Sequence, residues 1–428
     1  MKTRRPRFVP AVLVTMALLG AACADDDDDD TEAGGDGGEF EPGELGAVEI
    51  GPDDPIVIGS LQVTSGDNAS LGSDQVRAIE IAVEDIGGEL LGHEIQLEQQ
   101  DEECRAEGGT AGAQALVAEP QLVAVLGTSC SGAAVPASGI LNDEGIPLVS
   151  GSNTSPSLTS DLEGTEAPDH QDSYFRIAHN DIIQGQAAAQ YAFEELDAQT
   201  AVTIHDGDPY TQGLTTAFEA SFTDLGGEVV LATAVGPDDT DMRPVLTDVA
   251  AAAPDLVFFP IFQPAADFIV AQSNEFPEIA ETNRLMGADG LLSDTFVSIA
   301  DTEDMYFSGP ATPAGSAYEE FVGKYEDAYG EAPIQAFHAH SYDAANVLFA
   351  AIEEAAVEED DGTLQIDRQA LIDALRGTEG FEGITGTLTC DEFGDCADPA
   401  IDIVQNTADQ TTIDEVRANI LFTFEPEE

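Results

Sequence analysis

From residue 56 onward, short apolar runs alternate with longer stretches of helical periodicity. Ile56-Val57-Ile58 opens the series. Val76, Ile79, Ile81, Ala82, Val83 and Ile86 then recur at helical spacing and give one broad apolar face that stops at Gly87-Gly88. The alternation continues with strands at 95–97, 123–126 and 147–149 and helices at 112–118 and through Ile140-Leu141. A second series starts near Asn180: a helix to Leu196, strands at 202–204, 229–231, 256–259 and 284–286, and a helix over 213–225. Helices over 317–329 and 337–357 precede a hairpin-like tail. Strands separated by helices predict parallel sheets built of βαβ units. So long a stretch exceeds one hydrophobic core. The expected fold class is α/β, with two doubly wound parallel-sheet lobes and a central cleft.

The N-terminus does not fit this rhythm. Lys2, Arg4, Arg5 and Arg7 precede an apolar stretch over 8–19, shorter than the roughly 20 residues a bilayer span needs. Leu18-Leu19-Gly20-Ala21-Ala22-Cys23 then resembles a bacterial lipobox, with Gly20 where an aliphatic residue is usual. Residues 1–22 are therefore expected to be a lipoprotein signal peptide and Cys23 an acylated N-terminus, with ordinary cleavage nearby as the alternative. The Asp25–Asp30 run and the Gly- and Glu-rich sequence after it predict a disordered acidic tether over 23–53. A calcium site in the Asp run is the less economical reading.

Apart from Cys23 the chain holds Cys104, Cys130, Cys390 and Cys396, enough for two disulfides in an oxidising compartment. Four cysteines allow three connectivities, of which local pairing is the simplest. A zinc site lacks both the CxxC spacing and paired histidines. There are 84 acidic residues against 13 Lys plus Arg, and four of those 13 lie before Phe8. Such a surface repels phosphates, which argues against nucleic acid and against anionic membrane surfaces as partners. Contact with the membrane is expected through the lipid only. Self-repulsion of this size needs salt to screen it, a halophilic pattern.

In open α/β sheets ligands sit beyond the carboxyl ends of strands. Gly127-Thr128-Ser129-Cys130-Ser131-Gly132 and Ser150-Gly151-Ser152-Asn153-Thr154-Ser155-Pro156 occupy such places. Their hydroxyls and amides beside helix N-termini suit a carboxylate, although plain helix capping is the commoner use of Ser and Thr. Catalytic motifs are missing. The 127–131 segment ends in serine where a GxSxG elbow needs glycine, and the chain has no P-loop and no HExxH. His338 and His340, two apart on a predicted helix, face different ways. His205-Asp206 has no nucleophile to serve. The chain is read as a binding protein without cofactor or metal, and as no enzyme.

Several motifs, taken in order, carry a more specific resemblance. Cys104 after Asp101-Glu102-Glu103, the Thr128-Ser129-Cys130-Ser131 segment, Asn142-Asp143-Glu144-Gly145-Ile146-Pro147 and Ser150 to Thr154 come first. His205-Asp206-Gly207-Asp208-Pro209-Tyr210 and Phe381-Glu382-Gly383-Ile384-Thr385-Gly386 follow. From about Pro55 to Phe422 the chain resembles the type I periplasmic binding proteins of the leucine/isoleucine/valine-binding family. The resemblance implies a Cys104–Cys130 disulfide, and Cys390–Cys396 is the remaining pair. It implies three hinge crossings, near Ala178, Ser308 and Gly394. Lobe 1 would then comprise 54–178 and 309–394, and lobe 2 would comprise 179–308 and 395–424.

It further implies that Ser131 and Thr154 hold a ligand carboxylate, while the Asn153 carbonyl and Asp289 meet its ammonium. Tyr210 and Phe262 match aromatics that close over the ligand, and Leu71 stands at a pocket position. Ser129 replaces an apolar wall residue, Asn153 a small one, and Gln263 is also polar, so amide, urea and polar amino-acid ligands stand beside branched-chain ones. The expected role is an exported solute-binding component of an ABC importer. It would close about its hinge on the ligand and dock on permease subunits. A ligand sensor feeding a separate receptor is the alternative.

Overall fold

The computed structural model describes residues 40–280, 284–410 and 412–426. The basic and apolar leader and Cys23 lie outside the described residues. Among the described residues no helix is long and apolar enough to cross a membrane.

Strand β1 (Ala47–Ile50) comes first, then β2 (Ile56–Gln62), whose seven residues are all buried. The short β3 (Glu89–Leu90), β4 (His93–Asp101), β5 (Leu122–Gly127), β6 (Leu148–Ser150) and β7 (Tyr174–Arg176) follow. Apart from β1 these make one six-stranded sheet in the order β3-β4-β2-β5-β6-β7, parallel except for the β3–β4 pair. Helices α1 (Ala69–Asp85), α2 (Ala106–Val117) and α3 (Ser131–Asp143) connect its strands. Continuous apolar runs form the central strands β2 and β5 because helices cover both sheet faces, whereas β4 nearer the edge is only partly buried.

The second sheet is built alike. Its parallel strands are β8 (Thr200–His205), β9 (Glu228–Ala234), β10 (Leu256–Phe258), β11 (Leu285–Ala288) and β12 (Tyr306–Pro310). Helices α4 (Asp181–Gln190) and α5 (Pro209–Asp224) flank β8. The parallel strands run in the order β9-β8-β10-β11-β12, which is the β4-β2-β5-β6-β7 order of the first sheet. Each sheet therefore has a switch point beside its first strand, where loops to either side part and leave a crevice. Two antiparallel strands complete this sheet beyond β12: Ile401–Gln405 and Ile420–Phe424.

The structure differs from the sequence reading at three places. Ala47–Ile50 is a strand, not tether, because Val48 and Ile50 bury against Leu364–Asp367 in a small antiparallel sheet. Its alternating pattern was hidden by acidic neighbours. The second passage between lobes falls after Pro310, since β12 continues past Ser308, and helix Ser316–Tyr329 then packs on α1 of the first lobe. The third falls after Asp398, since Cys396 still bonds to Arg176 and packs in the first-lobe core and Asp398 still accepts from the Thr387 amide. Cys104–Cys130 and Cys390–Cys396 are both disulfides.

Candidate functional site

The two switch points face each other, and a narrow, nearly closed cavity lies between them. The first lobe supplies Leu71 from the first turn of α1, Ser129 from the β5–α3 loop, Ser131 from the start of α3, and Ser152 and Thr154 from the loop after β6. The second supplies Tyr210, Phe262 and Asp289, following β8, β10 and β11.

The first-lobe wall is cross-braced from beneath. The Ser150 hydroxyl donates to the Thr128 carbonyl at 3.0 Å, and Ser152 to the Ser129 carbonyl at 2.8 Å. Ser129 turns its hydroxyl inward, donating to Gln62 at 2.7 Å and accepting from the Val63 amide at 3.1 Å. It fixes the loop and offers the cavity little more than its backbone. Asn153 is fully buried and does not line the cavity. Its side-chain oxygen accepts from Thr128 and Tyr174, and its carbonyl accepts from Arg176 at 3.3 Å. That carbonyl, expected to meet a ligand ammonium, thus already accepts one hydrogen bond.

Ser131 is the first residue within α3, not its cap. The capping position is Cys130, which offers no side-chain bond to the first turn. That turn therefore lacks a side-chain acceptor, and its amides carry the helix's partial positive charge toward the cavity side. A carboxylate fits there, with the Ser131 and Thr154 hydroxyls beside it.

Asp289 lies on the opposite wall. Its Oδ1 accepts from Gln184 Nε2 at 2.7 Å and from the Tyr210 hydroxyl at 3.0 Å. No cation pairs with it among the described residues, and burial pushes its carboxyl up to about 6. The same burial, then the nearby Asp289 charge, raises the Tyr210 hydroxyl well above its usual range. Asp181, on the first turn of α4, is fully buried and raised well above an ordinary Asp, first by burial and then by Asp289. Its oxygens have no hydrogen-bond partner of good geometry, although the Thr154 hydroxyl approaches them. Asp181 stands behind Asp289 and does not border the cavity. Tyr210 and Phe262 pack at 5.2 Å beside it.

The lobes already touch. The Ser155 hydroxyl donates to the Pro209 carbonyl at 2.9 Å. A Cβ on Gly132 would lie 2.1 Å from Asp208 Oδ2, and one on Gly213 would lie 2.7 Å from Cδ of Pro156. Gly213 sits inside α5, where Gly→Ala normally strengthens a helix by up to about 1 kcal/mol. Gly213→Ala is therefore expected to raise a ligand Kd by about tenfold, or 1.4 kcal/mol, by holding the lobes apart. Scanning calorimetry should show the unliganded protein no less stable, and titration calorimetry reads the affinity. Unchanged affinity would mean that this contact does not form on closure.

Residues 55–400 match the family described as periplasmic binding protein. The chain belongs to the periplasmic binding protein family. An amino acid binding protein of Pseudomonas aeruginosa is 32% identical over 248 residues, 57% of this chain and 63% of that protein, so the chain spans less than two thirds of that relative. A Leu/Ile/Val-binding protein homolog of Brucella melitensis is 26% identical over 353 residues, 81% of this chain and 90% of the relative. Among solved structures, a leucine binding protein of Thermotoga maritima superposes with a TM-score of 0.74 at 22% identity, covering 87% of this chain and 99% of that one. A solute binding protein of R. palustris in complex with benzoate gives 0.70 at 20%, covering 87% and 97%. These likenesses show that the periplasmic binding protein fold is shared.

Within that fold Leu71, Ser129, Ser131, Thr154, Tyr210, Phe262 and Asp289 all border one cavity. Gln335 and Phe337, just before helix His338–Ala355, also border it and were not foreseen. They stand in no motif, and only the chain's return to the first lobe brings them to the cleft. Gln184, which holds Asp289, was likewise missed.

Proposed function

We propose that this chain is the extracytoplasmic solute-binding subunit of an ABC importer and that it captures an α-amino acid as the zwitterion. One observation carries the reading: Asp289, a buried carboxylate without a cation, faces a helix start without a side-chain cap across the cavity between the lobes. The ammonium pairs with Asp289. The carboxylate takes the first turn of α3, with Ser131 and Thr154. Burying either charge alone is costly, so a ligand that carries both is selected over one that carries one. The ligand stabilises the closed form because its two charged groups are held by different lobes. Leu71, Phe262 and Phe337 give its side chain apolar contact, while Asn68, Ser70 and Gln335 add polar edges. Benefit from a branched-chain side chain and from a polar one are thus both supported by the lining.

The reading places the protein outside the cytoplasmic membrane, held by a lipid on Cys23 and presented to permease subunits. The bound molecule is released unchanged. A thermal-shift screen of the L-amino acids, simple amides and urea, run in molar salt, tests the ligand class. At least one amino acid is expected to stabilise, by about 2.7 kcal/mol at a hundredfold excess over Kd. Stabilisation by urea or amides with none from any amino acid would move the assignment to those ligands.

A further inference from the structure

Asp289 does not stand alone, and its support leads away from the cleft. Gln184 on α4 is fully buried. Its Nε2 lies 2.7 Å from Asp289 Oδ1 and 3.0 Å from Ser308 Oγ. Its Oε1 lies 2.5 Å from Nε2 of His179. The opposite amide orientation would press a carbonyl against the carboxylate, so the amide nitrogen faces Asp289 and the amide oxygen faces His179. The histidine must then donate, which fixes it as the neutral tautomer with its proton on Nε2. His179 lies in the passage between the lobes, two residues before α4, with its ring stacked 6.0 Å from Phe337 of the cavity wall. It touches no part of the cavity itself.

We infer that His179 is a positioning residue for ligand capture: by donating to Gln184 it locks the amide that keeps Asp289 an acceptor for the ligand's ammonium. The inference rests on the zwitterion reading above. Without that donor the Gln184 oxygen is buried and unpaired, which is unfavourable. The amide escapes it by turning its oxygen toward Asp289. Asp289 then loses a donor, gains a repulsive dipole and holds its proton to higher pH.

The surrounding charges are few. Arg176 of β7, Asp395 and His340 act on His179, while Asp181 of α4 and Tyr210 of α5 act on Asp289. Burial, the largest effect, pushes His179 down to about 4, so it stays neutral wherever Asp289 titrates.

The test follows the Asp289 carboxyl by carbon-13 NMR in the unliganded protein, assigned by its loss in Asp289→Asn. In the wild type the midpoint should lie near 6. His179→Phe keeps a flat ring on Phe337 but donates nothing, and should raise the midpoint by about one unit, a tenfold change in proton affinity. His179→Gln restores an N–H and should bring it back. Calorimetry with L-leucine as probe should show affinity for His179→Phe falling by about fivefold at pH 6, the change that a one-unit rise in the midpoint gives there. An unmoved midpoint in His179→Phe overturns the inference, even where affinity falls, because packing alone would then explain the loss. If Asp289→Asn binds like wild type, the zwitterion reading has failed. If Asp289→Asn loses binding while the His179→Phe midpoint stays put, only the relay has failed.

Discussion

Arg176→Met is expected to destabilise the unliganded protein by about 3–5 kcal/mol, the range for breaking a buried ion pair from one side. Arg176 is fully buried and pairs through Nε with Asp395. Its Nη1 donates to the Ser155 carbonyl at 2.8 Å and the Asn153 carbonyl at 3.3 Å, and its Nη2 to the Thr159 hydroxyl. One guanidinium thus ties the end of β7, the loop that carries Thr154, and the segment before the third passage between lobes. The planar fork makes this possible, and a lysine cannot reach all four acceptors. Methionine fills much of the volume but leaves the Asn153 carbonyl without a donor, the Ser155 carbonyl with only the long bond from the Leu158 amide, and Asp395 without its cation. Asp395 keeps donors from Thr159 and Asn180, so Asp395→Asn should cost clearly less than Arg176→Met. Scanning calorimetry at constant high salt compares the two. A loss below about 1 kcal/mol in Arg176→Met would mean the pair only offsets its own desolvation.

Arg176 also marks where sequence reading stops. Tyr174-Phe175-Arg176 is three residues long and ends in a charge, so nothing local shows it to be a core strand. Its partner lies 219 positions away. β12, Tyr306-Phe307-Ser308-Gly309-Pro310, was missed for a related reason, since Gly and Pro mask a strand that neighbours on both sides hold in place. By contrast β2, β5 and β8 were legible because burial on both faces demands continuous apolar runs, and α1 because one face alone is buried.

The site divides the same way. Ser131, Thr154, Tyr210 and Asp289 follow strand ends, which sequence locates. Ser129 and Asn153 follow strand ends too, yet their side chains turn inward to Gln62, Thr128 and Tyr174, and only packing decides that direction. His179, Gln184 and Asp289 form a chain across 110 positions that no motif records.

Asp289→Asn is the second large effect. Asparagine keeps the shape and still accepts from Gln184 and Tyr210, so the wall should survive. The sign of the stability change is fixed by the raised carboxyl. An Asp pushed from 3.8 to about 6 in the folded state opposes folding at every pH above 6, and that penalty fades as pH falls toward 3.8. Removing the charge should therefore leave the unliganded protein as stable as wild type at pH 7, or more so. Binding should behave oppositely. Loss of one partner from a buried charge pair costs about 2–5 kcal/mol because the ligand's ammonium is left without a counter-ion.

Isothermal titration of wild type and Asp289→Asn with the L-amino acid that most stabilises the protein, in molar salt at pH 7, tests capture of a zwitterion most directly. The account predicts a Kd at least about a hundredfold higher in the variant, or 2.7 kcal/mol, with an unliganded melting temperature that does not fall. A merely local turn at Asp289-Gly290 would accept Asn without loss, and a wild-type Kd in the variant would contradict the account.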